Sequence, residues 1–177
     1  MPAEASFWDL HVAFQDAMGW KDYHLHLFRI RNPEDGRTDS IGIPDDDPFP
    51  GAEPHLTGWE IPVAEYFRLP GDHAEYDYDF GDGWAHDVLL EQIALCIPRT
   101  KVPRCLEGAR ACPPEDCGGV PGYERLLEVL ADPSHEEHAS MLEWVGGAYD
   151  PAAFDPARVR FDNPKKRWEM AFDDSEE

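Results

Sequence analysis

The chain has 177 residues, 42% of them hydrophobic, which suits one globular domain able to bury its own core. Thirty-seven acidic residues against fifteen basic give a formal charge of −22, a surface that repels phosphate backbones and disfavours direct nucleic-acid binding. No apolar run approaches bilayer length and no charged-then-apolar leader precedes Ser6, so the expectation is a cytoplasmic protein without membrane association.

Ser6, with Asp9 three residues on, has the pattern of a helix capping box. Leu10, Ala13, Phe14, Ala17 and Met18 then recur at spacings of three and four, and Gly19 ends the helix. Tyr23 to Ile30 reads as a strand, with Tyr23, Leu25 and Leu27 on one side and His24, His26, Phe28 and Ile30 on the other. Residues 31–58 are rich in Pro, Gly and Asp, including Asp45-Asp46-Asp47, and are expected to form a long acidic loop. Pro62 to Leu69 suits a short helix stopped by Pro70-Gly71.

The next stretch predicts a hairpin. Tyr76, Tyr78 and Phe80 alternate with aspartates at the two-residue period of a strand, and Asp82-Gly83 supplies the positive φ angles of a type I′ turn. A two-residue turn there pairs Asp79 with His86, and a one-residue slip pairs Asp77 with His86 instead. Either register puts Asp77, Asp79, Trp84 and His86 on one face, a carboxylate–imidazole set fit for a metal, a proton or a salt bridge.

Four cysteines, at 96, 105, 112 and 117, are expected as reduced thiols. Cys105, Cys112 and Cys117 share a loop rich in Pro and Gly that a metal, zinc above all, could help to order. Cys96, His86 or His135 would supply the fourth ligand. The spacings of six and then four intervening residues differ from the two-residue knuckles of structural zinc. The alternative is thiols packed as small hydrophobes. Pro113-Pro114-Glu115-Asp116 stiffens the same loop and presents two carboxylates, as catalytic candidates or as a turn in which Asp116 caps backbone amides.

Gly118-Gly119 and Pro121 open a helix with Tyr123, Leu126, Leu127 and Leu130 on its apolar side. Asp132-Pro133 opens the next, with Met141, Leu142 and Val145 as its stripe, and Asp150-Pro151 and Asp155-Pro156 repeat the cap-and-proline pattern on short turns. The chain closes on an acidic tail at 168–177. This order predicts a single α+β domain over 1–177: a small antiparallel sheet with a central hairpin, and helices packed on one face.

Several of these stretches carry a resemblance. Ala17-Met18-Gly19-Trp20, Tyr23 to Phe28, the hairpin, Cys105 to Gly119, and Trp144 to Gly147 with Tyr149 to Asp155 are similar, in order, to the Ri-plasmid open-reading-frame-three-like family. That family consists of prokaryotic proteins associated with plasmids and mobile elements. The resemblance implies a compact α+β domain and no particular activity. Relatives open with an extended Trp-Arg-Arg-like stretch ahead of the first helix, whereas here the helix begins almost at Met1. Either the start codon is late or a strand is lacking, which would leave a sheet edge open to a second copy, a route to a homodimer.

Two functions of different class follow. The phosphate-cradling loop, the dinucleotide fingerprint and the nucleophile elbow are absent from the sequence. The favoured reading is therefore a non-catalytic protein-binding or adaptor module with a structural cysteine-rich loop. The alternative is a small metal-dependent hydrolase, with Asp77 or Asp79 and His86 as ligands and Glu115 or Asp116 as general base. It requires the hairpin and the Pro-Pro-Glu-Asp loop to meet at one cleft. Cys112 as a nucleophile would need Arg110 or His86 beside it. His24 and His26, two apart on a strand, read as half-buried strand residues, and His135 and His138 as a solvated helix face.

Overall fold

In the computed structural model, which describes residues 1–44, 54–95 and 97–172, the first helix forms as its cap dictates. Ser6 Oγ accepts from the Asp9 amide and the Asp9 carboxylate accepts from the Ser6 amide, starting α1 at Phe7–Met18. Gly19, at φ 79°, closes it in the left-handed conformation. Strands follow at His26–Arg31 (β1), Thr38–Gly42 (β2), Leu56–Thr57 (β3), His73–Tyr78 (β4) and Trp84–Leu89 (β5). Helices Gly119–Ala131 (α2), His138–Trp144 (α3) and Pro164–Phe172 (α4) complete the chain.

The sheet runs β3-β2-β1-β4-β5, antiparallel except for the short parallel β2–β3 pair. The architecture is the expected α+β class. β1 is its middle strand, and the β4–β5 hairpin occupies one side with β5 at the margin. Two strands lie within the stretch expected as a loop over 31–58. Thr38-Asp39-Ser40-Ile41-Gly42 pairs with β1 because Ile41, fully buried, sits opposite Phe28, while Asp39 accepts from Tyr66 Oη (2.6 Å) and Asn32 Nδ2 (2.7 Å). Those hydrogen bonds offset the low strand propensity of Asp and Ser. Asp45-Asp46-Asp47 lies outside the described residues. So do Cys96 and residues 173–177 of the expected tail. The rest of that tail, 168–172, is helical in α4.

α4 is held by partners that its own sequence does not announce. Trp8 Nε1 donates to Pro164 O (2.9 Å), Trp8 and Phe172 meet edge to face, and Arg167 reaches Asp16 (2.7 Å) on α1.

Period-two alternation sorts the strands. His26, Phe28 and Ile30 of β1 and Ala74, Tyr76 and Tyr78 of β4 turn inward, and Phe7 packs on Phe28 with ring centroids 5.2 Å apart. On the opposite face Arg29 spans Glu75 (3.2 Å) and Asp77 (2.5 Å).

The core contains a polar chain. Gln15 Nε2 donates to Tyr76 Oη (3.0 Å), Tyr76 Oη lies 2.8 Å from His11 Nδ1, and His11 Nε2 lies 2.7 Å from Asp22 Oδ1. One proton per link runs through the chain when His11 is neutral, with Tyr76 donating to Nδ1 and Nε2 donating to Asp22, while Gln15 Oε1 has no partner among the described residues. His26 stacks on His11 at 3.5 Å between centroids and an interplanar angle of 9°. Burial lowers the pKa of both imidazoles below 6.5, well below it at His26, and so favours the neutral form of each, against the pull of Asp22 on His11.

The unfolded chain therefore binds protons below about pH 6.5 that the folded chain refuses, and stability falls as pH falls. Each such group adds at most about 1.4 kcal/mol per pH unit to that slope. Urea unfolding between pH 7.5 and 5.5 should show a loss of this sign, and His26→Phe should remove about half the slope. A stability independent of pH over that range would refute the neutral pair.

Candidate functional site

The hairpin turn is wider than a two-residue type I′ turn. β4 and β5 pair Tyr78 with Trp84, Asp77 with Ala85 and Tyr76 with His86, so five residues, 79–83, make the connection. Asp79 causes the difference. It leaves the ladder with φ 54°, and its Oδ1 accepts from the amides of Gly81 (3.0 Å) and Asp82 (3.2 Å). A short side chain that bonds its own turn competes with strand pairing and ends it early.

This register corrects the expected face. Tyr76, Tyr78, Trp84 and His86 point to the core side, while Asp77 points to the other, where Arg29 holds it. Asp77, Asp79 and His86 therefore do not form one ligand set. His86 Nδ1 binds Tyr76 O (3.0 Å), Trp20 packs edge-on against its ring, and burial lowers its pKa.

The Pro-Pro-Glu-Asp loop does reach the hairpin. Trp20 Nε1 donates to Pro113 O (2.8 Å), and Glu115 accepts from Tyr78 Oη (2.5 Å) and from the Lys21 amide (2.7 Å). Gly118 N–H donates to Asp82 Oδ2 (3.1 Å). The backbones come so close that a Cβ on Gly119, itself at φ +66°, would stand 2.3 Å from Asp82 O. The Gly-Gly pair thus serves the docking of the loop as well as the start of α2.

Three side chains converge at this junction. His24 Nε2 lies 2.9 Å from Asp116 Oδ1 and 3.6 Å from Asp79 Oδ2. All three donor atoms lie within 4.8 Å of one another, the single group of three such donors among the described residues. His24 supplies what the hairpin aspartates were expected to find in His86. Sequence spacing gives no signal for it, since 92 residues separate His24 from Asp116. Beside Asp116 opens a groove of about 410 Å³ between α2 and α3, lined by Arg125, Leu126, Met141 and Trp144.

Cys105, Cys112, Cys117 and His86 are not brought together as a cluster among the described residues. Cys112 and Cys117 pack against the aromatic core. Burial, with Cys117 and Glu115 adding to it, pushes the Cys112 thiol up to about 12, and burial with Asp82 pushes Cys117 up to about 11. Both stay protonated at neutral pH, which removes the thiolate that a nucleophilic Cys112 requires. Of the catalytic candidates, Glu115 is committed to Tyr78 and Lys21, while Asp116 stays exposed at His24. His135 and His138 stand apart, at the Glu137 amide and Val129 O.

Comparison with known proteins places this geometry. The model of the plasmid pRiA4b ORF-3-like protein family matches residues 1–158. An uncharacterised protein of Sinorhizobium fredii, y4hQ, is 37% identical over 163 residues, covering 90% of this chain and 79% of its own. The crystal structure of a protein of unknown function from Methanosarcina mazei Go1 superposes with a TM-score of 0.82 at 43% identity, over 91% of this chain and 86% of that one.

Two outcomes test the junction. Tyr78→Phe removes the donor to Glu115 and should cost about 1–3 kcal/mol in urea unfolding, because a carboxylate is left short of a partner; a change under about 0.3 kcal/mol would show that the loop is held otherwise. In the native protein, Cys112 should alkylate at neutral pH far more slowly than after unfolding, read by mass spectrometry. Equal rates would contradict its burial.

Proposed function

The chain belongs to the plasmid pRiA4b ORF-3-like family, and within it we propose a non-catalytic role, as a module that binds an extended segment of a protein partner. One observation carries this reading. At the end of β5 and in the irregular stretch past it, apolar side chains face solvent: Leu89, the last residue of the strand, is 56% exposed, and Ile93 and Leu95 beyond it are 61% and 97% exposed. A run of large aliphatic side chains held in water marks an interaction surface. β5 is also the last strand of its sheet, and a sheet margin can accept a further strand from another chain.

Charge sets the kind of partner. Asp87 and Glu91 flank the exposed Leu89 on a chain of formal charge −22. A matching segment alternates aliphatic residues with Lys or Arg, and an acidic surface steers it in while rejecting nucleic acid. A second copy of this chain lacks that complementarity, which makes a homodimer through β5 the less favoured occupant. The free thiols at Cys105, Cys112 and Cys117 support placing the domain in the reducing cytoplasm. No helix among the described residues is long and apolar enough to cross a membrane.

The hydrolase reading finds less support. Its hairpin ligands Asp77 and His86 lie on opposite faces, and Glu115, one of its two candidate bases, already accepts two hydrogen bonds.

Panning a displayed library of random nine-residue peptides tests the proposal. Enriched sequences should alternate aliphatic with basic residues, and Leu95→Asp should weaken their binding at least tenfold while leaving the fold intact. No enrichment, or enriched peptides that bind Leu95→Asp equally well, would reject it. Light scattering on the same proteins reports whether a second copy competes for the edge.

A further inference from the structure

The junction of His24, Asp79 and Asp116 is not used by strand addition at β5, and its chemistry is that of a ligand set. Four loops or strand ends meet there: the segment before β1, the hairpin turn, the Pro-Pro-Glu-Asp loop and the start of α2. We infer that the protein binds one divalent first-row transition ion, of the Mn²⁺-to-Zn²⁺ kind, through His24 Nε2, Asp79 Oδ2 and Asp116 Oδ1.

The distances carry this first. An ion about 2.1 Å from each N and O ligand separates neighbouring ligands by roughly 3.0 Å at right angles or 3.4 Å at tetrahedral angles. The observed separations of 2.9 and 3.6 Å from His24 Nε2 bracket that range. The third pair, Asp79 with Asp116, lies within 4.8 Å, so a small closure of the two carboxylates brings all three onto one ion.

The state of Asp79 is an independent observation. Its side chain is only 9% exposed, and both amide hydrogen bonds it accepts go to Oδ1. Oδ2 receives no hydrogen bond among the described residues and points at His24. A carboxylate on a side chain this far withdrawn from water gains from a positive charge facing its free oxygen. Among the described residues no lysine or arginine forms an ion pair with Asp79 or Asp116, so His24 alone faces them. A cation between the three atoms supplies the missing charge. His24 binds the ion through Nε2 in the tautomer that carries its hydrogen on Nδ1.

One imidazole and two carboxylates favour a borderline ion over Ca²⁺ or Mg²⁺, which prefer all-oxygen shells. Asp116, whose side chain is 64% exposed, leaves one side of the ion open to water or to a group entering from the α2–α3 groove. Asp82, outside this set, clamps the two loops through Gly118 N–H.

Calorimetric titration of the full chain with Zn²⁺ tests the inference, alongside Asp116→Asn, His24→Gln and the double variant Cys112→Ser/Cys117→Ser. Asp116→Asn is the safe variant for folding, since its side chain is exposed. Support requires one equivalent bound by the parent and by the double serine variant, weakened about 100-fold or more in Asp116→Asn and His24→Gln. The Co²⁺-loaded protein should then show no sulfur-to-metal charge-transfer band. The inference fails if no Zn²⁺ binds, if Asp116→Asn binds like the parent while its circular dichroism is unchanged, or if binding is lost in the serine variant and a charge-transfer band appears.

Discussion

One phenol fixes the relative positions of the three segments that matter most here. Tyr78 Oη accepts from the Tyr23 amide (3.1 Å) and donates to Glu115 (2.5 Å), while its ring stacks on Trp20 at 4.9 Å between centroids. It therefore ties the approach to β1, the end of β4 and the Pro-Pro-Glu-Asp loop to one buried group. Burial and the neighbouring Glu115 carboxylate push the phenol far above its usual pKa, so it stays a donor across the physiological range. A donor that cannot ionise is a dependable anchor for a carboxylate, and the irregular loop from Cys105 to Gly118 needs one because it has no ladder of its own.

Two polar groupings lie either side of this anchor and differ in kind. The Gln15–Tyr76–His11–Asp22 chain is closed: donors and acceptors match in sequence, and burial favours the neutral form of His11. Such a chain specifies how α1 sits on β4, since sliding the helix by one residue would strand every member. The His24–Asp79–Asp116 grouping is open. It has surplus negative charge, an oxygen without a donor and a route to solvent. Two histidines two positions apart therefore do different work: His26, the first residue of β1, stacks on His11 beside the closed chain, while His24 lies ahead of the strand and turns toward the loops.

What could be read from the sequence is what local chemistry decides. The capping box at Ser6 and Asp9, the period-two alternation of β4 and the Gly-Gly start of α2 all depend on residues a few positions apart, and each is present. The turn is wider than Asp82-Gly83 alone predicts because Asp79 competes for the end of the strand, and its hydrogen bonds to the Gly81 and Asp82 amides decide that contest. β2 was hidden because its polar residues are matched by Tyr66 and Asn32, partners outside the strand itself. The resemblance to a family gave the fold through motif order, yet it carried no information on which residues meet. His24 with Asp116, and Arg167 with Asp16, are pairings across 92 and 151 residues, and no periodicity encodes them.

That last separation has a consequence for how the molecule comes into being. Asp16 on α1 waits for Arg167 on α4, and Trp8 waits for Pro164 and Phe172. Contacts this distant in the chain carry a loop-closure cost in entropy and slow the final step of folding. During synthesis, at roughly 5–20 residues per second, the face of α1 that α4 covers stays bare for on the order of ten seconds or more, until α4 has left the ribosome. α1 is made long before the helix that seals it, so a chain stalled ahead of α4 displays an aromatic surface that the finished fold conceals.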